Sequence, residues 1–462
     1  MLTGNTPEFF EVAVAAGHGG ITYVPVNSHW TASEVAHVLE DAEVTLLVLD
    51  EGRREVGAAA VGLARLPADR VIATGADPGP FASYEALLDA CPADEPEDET
   101  AGTPMFYTSG TTGRPKGVRT VGADEGRAPV AWDRVGPAIA AAFRMPVGGV
   151  QLLCGPVYHT AQWSWTVPLL FAGNTVVIHE TFDAERVLRD IDAHGVTGTH
   201  LVPTQLVRLL RADPEVRSAF DGSSLAAVWH GAAPCPPEVK RRMIEWWGPI
   251  IWEYYGGTEG GVLSSVSSAD WLARPGTVGR VAAGYEVRVT DDDGNDVPPG
   301  ESGVIWFRRS SGAQFEYHNA PEKTAASRRD GYATLGDVGR FDADGFLYLS
   351  DRAIDLIISG GVNIYPAEVE HCLMVHDAVV DVAVIGVADP EFGEQVKAVV
   401  ELAPGVEPGA EVIAQLDAHA RGLIAGYKVP RSYEFVDAVP RLESGKALKR
   451  ELRERYSSAA VG

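Results

Sequence analysis

A chain of 462 residues is long enough for two or three domains with sizeable cores, and 45% hydrophobic with 22% charged residues is ordinary for a folded protein, which excludes overall disorder. Its 64 acidic against 38 basic side chains leave a formal charge of −26, the opposite of the basic footprint that nucleic-acid binding requires. A nucleotide stays admissible, because one phosphate site needs only a few local donors.

Cys91, Cys154, Cys235 and Cys372 are scattered without metal-ligand or disulfide spacing. The residues from Met1 to Glu8 lack the basic and apolar regions of a signal peptide. No apolar run reaches the roughly 18–20 residues that span a bilayer; Val167 to Ile178 is broken by Gly173 and Asn174. The expectation is a cytoplasmic protein with no membrane span and no nucleic-acid partner.

In chain order, Ser33 to Asp41 reads as a helix and Val44 to Leu49 as the buried strand after it. Ala93 to Thr103 is acidic and proline-containing, an exposed linker. Met105 to Tyr107 reads as the end of a strand. Phe182 to His194 is helical, Gly198 to Val202 strand-like, and a further helix begins near Pro203. After a break near Asp351-Arg352, Leu356 to Ser359 is a strand, Gly360-Gly361 a turn, Pro366 the first turn of a helix, and Val380 to Val387 another strand. This alternation is an α/β pattern, and the last 110 or so residues have the size of a small α+β domain.

The segment from Tyr107 to Gly117, with Thr108, Ser109, Gly110, Thr111, Thr112, Gly113, Arg114 and Lys116, concentrates glycines, hydroxyls and two cations. Glycines let backbone N–H groups approach an anion, and the hydroxyls and cations add donors. Lysine is scarce, the full set being Lys116, Lys240, Lys323, Lys397, Lys428, Lys446 and Lys449, so each position is informative. The spacing is not that of a Walker A loop.

This string resembles the core signature of the adenylate-forming (ANL) superfamily: acyl- and aryl-CoA synthetases, adenylation domains and firefly luciferase. Further motifs follow in the family's order. Gly231-Ala232-Ala233-Pro234 looks like its adenine loop, and Tyr255-Gly256-Gly257-Thr258-Glu259 like its aromatic-Gly-x-Thr-Glu segment. The resemblance implies that Tyr255 stacks on adenine, Gly256 allows close approach, Thr258 bonds the α-phosphate, and Glu259 with Thr111 holds Mg²⁺. Asp337 and Arg352 take the ribose-binding positions. Pro440 to Lys446 is similar to the C-terminal catalytic-lysine loop, with Lys446 holding the carboxylate against the α-phosphate.

What the resemblance implies is a large N-terminal α/β domain of layered mixed sheets (residues 1–350), a hinge at 351–352 centred on Asp351, and a small mobile α+β domain (353–462). The implied substrates are ATP, a small-molecule carboxylic acid and coenzyme A, and a homodimer is compatible with it. Lys446 would serve the first half-reaction; Gly360 and Gly361 would line a pantetheine tunnel in the second. Tyr158-His159 matches the aromatic–histidine gate, where His159 is the candidate catalytic histidine. Amino-acid-activating relatives carry an acid there, which argues against an α-amino acid substrate.

Tyr158, His159, Gln162, Trp163, Trp165, Thr204, Trp229, His230 and Gly257 form the expected acyl pocket, whose aromatic character suits a fatty or aromatic acid. A carrier-protein pantetheine or an amine is the alternative acceptor. A non-catalytic homologue is disfavoured by the presence of both Lys446 and Glu259. Ile354 and Leu335 depart from the family's lysine and threonine, and the family pattern includes a further strand–helix segment ahead of Asn5.

Overall fold

The computed structural model describes residues 1–94, 100–108, 115–121, 132–352, 355, 357–359, 362–389, 392–442 and 445–457. Ser109 to Arg114, Ile354, Gly360 and Gly361 lie outside the described residues, so the centre of the phosphate loop and the tunnel glycines carry no structural account. The backbone of Asp351 and Arg352 is described; their side chains are not.

A twelve-stranded sheet forms the large domain's spine. One half is parallel, in the spatial order Thr175–Ile178, Val150–Leu153, Gly198–Leu201, Ala227–His230 and Ile251–Gly257. Its inner strands Val150–Leu153, Gly198–Leu201 and Ala227–His230 are almost wholly buried, while the edge strand Thr175–Ile178 is partly exposed. The helices Ala184–His194, Pro203–Leu210 and Pro237–Trp247 cover one face through Val187, Leu188, Ile191, Leu206, Leu209, Met243 and Ile244. The sheet then turns antiparallel through Gly261–Val266, Thr277–Val281, Leu347–Arg352, Tyr332–Phe341, Gly303–Arg309 and Tyr285–Thr290. Two three-stranded sheets flank it, one of them joining Phe106–Thr108, Lys116–Val121 and Gln314–Tyr317.

The small domain is a five-stranded sheet built on Val379–Asp389 and Gly393–Leu402, packed under helices Pro366–Met374 and Ala410–Leu423. The architecture is thus a large mixed α/β domain followed by a smaller α+β one.

Most expected elements lie within two or three residues of the observed ones. The first expected helix is Ala32–Asp41, fixed by a capping box in which Thr31 and Glu34 bond each other's backbone N–H. The expected strand from Val44 is shorter, Leu47–Leu49. The linker is corrected at its far end: Gly102 N–H donates to the Gly17 oxygen at 2.8 Å and Tyr23 N–H to the Thr103 oxygen at 3.1 Å, tying it to helix Pro7–His18 and the segment that follows that helix. No helix among the described residues is long and apolar enough to cross a membrane.

Candidate active site

The parallel strands end on one side of the sheet, where their following loops meet the antiparallel half. Such carboxyl-end crevices are where open α/β sheets bind ligands. A cavity of about 330 Å³ lies there, and it draws its walls from across the chain: Thr108 and Lys116, Tyr158 to Ala161, Ala232, Gly256 to Glu259, and Leu442 and Lys446 of the small domain. Residues separated by more than three hundred positions in sequence thus share one hollow.

Local geometry explains several of these residue types. Strand Ile251–Gly257 meets its antiparallel neighbour with a bulge between Tyr255 and Gly256, and a Cβ on Gly256 would collide with the Gly261 carbonyl oxygen. Gly231 faces the Tyr254 ring, leaving no room for a side chain. Ala232 sits at φ 67°, a left-handed conformation that costs a non-glycine residue about 1 kcal/mol or more, and it is a cavity wall.

Polar groups converge on the cavity. Thr258 Oγ1 is 2.9 Å from Thr160 Oγ1, and Glu259 Oε1 accepts from the Tyr317 hydroxyl at 3.0 Å. Burial and then the neighbouring Lys323 ammonium hold the Lys116 pKa below its usual value, while Glu259 pulls it the other way. Two ammonium groups side by side next to a single carboxylate form a place that a polyphosphate would neutralise. Glu259 is the one carboxylate among the described walls. Magnesium is usually held by one or two carboxylates together with substrate phosphates, so this donor set fits that ion.

Of the expected nucleotide residues, Thr108, Lys116, Ala232 and Gly256 line the cavity, whereas Gly231, Ala233, Tyr255 and Asp337 do not. Tyr255 is buried in the antiparallel half's core and donates its hydroxyl to Asp337 Oδ2 at 2.9 Å. Asp337 is the backbone partner of Arg352 across adjacent strands, which places the two expected ribose residues side by side.

The acyl side needs correction. Tyr158, His159, Trp165 and Gly257 line the cavity, together with Ala161, Ser164, Tyr254 and Val262. Gln162, Trp163, Thr204, Trp229 and His230 do not. Gln162 is buried on His200, its Nε2 lying 3.1 Å from His200 Nδ1, and Trp163 donates to the Tyr23 hydroxyl at 2.9 Å. Thr204 faces another cleft. Trp229 stands behind Trp165, ring centroids 5.7 Å apart, and donates to the Phe143 oxygen at 2.7 Å. His230 is wholly buried, its Nε2 3.7 Å from Glu253 Oε2, which in turn accepts from Lys240 Nζ at 2.6 Å.

The pocket floor is a fixed aromatic block. Trp165 stacks on Phe143 at 4.5 Å and meets Tyr254 at 4.7 Å and His200 at 4.9 Å. Burial lowers the His200 pKa to about 3. Burial, and next the charge of His29, lowers that of His159 to about 4, so both rings are neutral at physiological pH. The Nε2 of His159 is buried with no hydrogen-bond partner among the described residues. A second cleft of about 680 Å³ runs between the domains past Ser28, Arg208 and Asp381, and shares Tyr158 and Leu442 with the first.

Comparison with known proteins gives the chain's family. The AMP-binding enzyme family matches residues 1–314, and the AMP-binding enzyme C-terminal domain matches 368–446. The chain is 36% identical to a feruloyl-CoA synthase of an Amycolatopsis species, over 98% of this chain and 88% of that one. It is 33% identical to a fatty acid–[acyl-carrier-protein] ligase of Streptomyces coeruleorubidus, over 98% and 86%. Among solved structures, an amide bond synthetase from Marinactinospora thermotolerans superposes with a TM-score of 0.83 at 28% identity, covering 98% of this chain and 88% of that one. The chain belongs to the AMP-binding enzyme family of the adenylate-forming superfamily and is an ATP-dependent, acid-activating ligase of the acyl-CoA synthetase kind.

Proposed function

We propose that the smaller cavity joins a compact aromatic carboxylic acid to the α-phosphate of ATP and then yields the acyl group to the thiol of coenzyme A. The observation that carries this reading is the convergence of Lys446, Thr258, Glu259 and Lys116 on one hollow.

A carboxylate resists nucleophiles because it is anionic, and it must first attack a phosphate that is anionic too. The chain's task is to hold the two anions together and offset their charge. Lys446 bridges carboxylate and α-phosphate, Thr258 donates to the phosphate, and Lys116 with Lys323 receives the departing pyrophosphate. Glu259 would hold Mg²⁺, which when bound neutralises phosphate charge. His159, neutral and with an unused ring nitrogen at the wall, can donate to a carboxylate oxygen.

The acyl group then lies along Ala161, Ser164 and Val262 and stops against Trp165 and Tyr254. A flat ring fits against such a block, and a long alkyl chain finds no exit through it. The thiol enters from the interdomain cleft past Tyr158, a reading supported by the wall that the two hollows share. Residues 351–352 act as the hinge between the half-reactions.

The test is incubation with ATP, coenzyme A and matched sets of benzoic, phenylpropenoic and C8–C16 alkanoic acids, with products read by mass spectrometry. Aryl-CoA and AMP are the expected products. Equal turnover of palmitate would remove the aryl assignment. The structural likeness to an amide bond synthetase favours an amine as the second acceptor reading, so an amine belongs in the same panel.

A further inference from the structure

The loop that carries Lys446 is linked to the large domain through a chain of hydrogen bonds. Arg211 follows helix Pro203–Leu210 of the large domain and reaches the small one: its Nη2 donates to the Val379 oxygen at 2.6 Å and its Nη1 to the Val380 oxygen at 3.1 Å. These carbonyls sit where the small domain's central strand pair slips register, between Val379 and Asp381. A bulge leaves backbone groups unpaired and turns them outward, which makes them available to a guanidinium fork.

The next residue continues the link. Asp381 accepts from Arg441 Nε at 2.6 Å and Nη2 at 2.7 Å, and Arg441 Nη1 donates to the Gly445 oxygen at 2.8 Å. Gly445 is covalently followed by Lys446. The path thus runs from a large-domain helix, through a bulge and a half-buried ion pair, to the peptide bond beside the catalytic lysine.

We infer that Arg211 is a positioning residue that docks the small domain in the pose that brings Lys446 into the cavity, and that it serves the acid-adenylating half-reaction selectively. It lines the interdomain cleft and is not a wall of the cavity proposed for ATP and acid. Its two bonds exist only while the domains are apposed in this way; on separation water replaces them, so they bias one pose. The inference rests on the proposed role of Lys446 in the first half-reaction.

The experiment compares wild type, Arg211→Ala and Arg211→Lys in three measurements: ATP–pyrophosphate exchange, thiol transfer from chemically supplied acyl-adenylate, and thermal midpoint. Loss of two charge-assisted bonds predicts that Arg211→Ala loses about tenfold in the exchange kcat with little change in the KM for ATP, while transfer stays within about twofold. Arg211→Lys, retaining the charge and one donor direction, should fall between, with the midpoint unchanged throughout. Equal losses in both half-reactions, or no loss of exchange, would overturn the inference. A wild type that exchanges but never transfers to coenzyme A would defeat the acceptor reading alone, and exchange in the two variants would still decide the role of Arg211.

Discussion

Three histidines, one in the cavity wall and two behind it, are buried without carrying charge. His159 and His200 have pKa values lowered to about 4 and about 3, and His230 lies well below its usual value, burial being the largest cause in each. Unfolded, each takes a proton near pH 6.5, so the unfolded chain binds more protons below that pH. Stability is fully present above about pH 6.5 and falls as acid is added, by up to about 1.4 kcal/mol per pH unit for each histidine. Thermal midpoints should drop steadily from pH 6.5 to 4.5, with a shallower slope in His200→Gln; a flat profile would mean that these rings are solvated. Activity, by contrast, should show no acidic limb from His159 near pH 6.5. These roles were only partly legible in sequence. Tyr158-His159 stood out as a motif, but neutrality comes from burial among residues distant in the chain. Tyr254 carries no motif signal beside Tyr255; successive strand residues face opposite sides, and it is Tyr254 that lines the cavity.

Elements decide which motif residues meet the cavity. The helix Thr160–Ser164 is a little over one turn, and Ala161, Ser164 and Trp165 lie at spacings that share a face. Gln162 and Trp163 point elsewhere, and a helix this short offers no periodicity from which its phase can be read. If Trp165 limits the pocket, Trp165→Ala should admit acids longer by several carbons while lowering turnover of the best aryl acid, as a substrate-length series would record. Its removal also leaves a cavity among Phe143, Trp229 and Tyr254, costing about 3–5 kcal/mol of stability.

Beside residues 231–234, helix Pro237–Trp247 and strand Ile251–Gly257 are joined by the buried Lys240–Glu253 pair. Composition marks Lys240 only as one of few lysines, and its burial follows from the helix packing on the sheet. Lys240→Met strands a buried carboxylate and should destabilise by about 3–5 kcal/mol, whereas adding Glu253→Leu should recover most of it. Denaturant midpoints of the two variants and wild type check this. A double variant no better than the single one would show that the pair itself is needed.

At the scale of the molecule, the order of motifs along the chain foretold a large α/β domain and a smaller one after it. It did so through the resemblance, because the phosphate, adenine and lysine motifs occur in the family's order along the chain. What the sequence left unread was the interdomain contact: Arg211 and Asp381 belong to no motif, nothing in the lysine-loop pattern pairs Arg441 with Asp381, and the link exists only once a bulge and a helix end come together. The same apposition brings Lys446 into the hollow with Thr258 and Glu259. Because in the proposed mechanism that lysine offsets charge as the two anions combine, its loss should strike the rate more than binding.

The most direct measurement is therefore ATP–pyrophosphate exchange with an aryl acid, run on wild type and Lys446→Ala. The account predicts acid-dependent exchange in the wild type and a loss of about 10²–10³-fold in kcat in the variant, with the KM for ATP changed much less. Exchange at an unaltered rate in Lys446→Ala would contradict the assignment of this cavity as the place where acid and α-phosphate are joined.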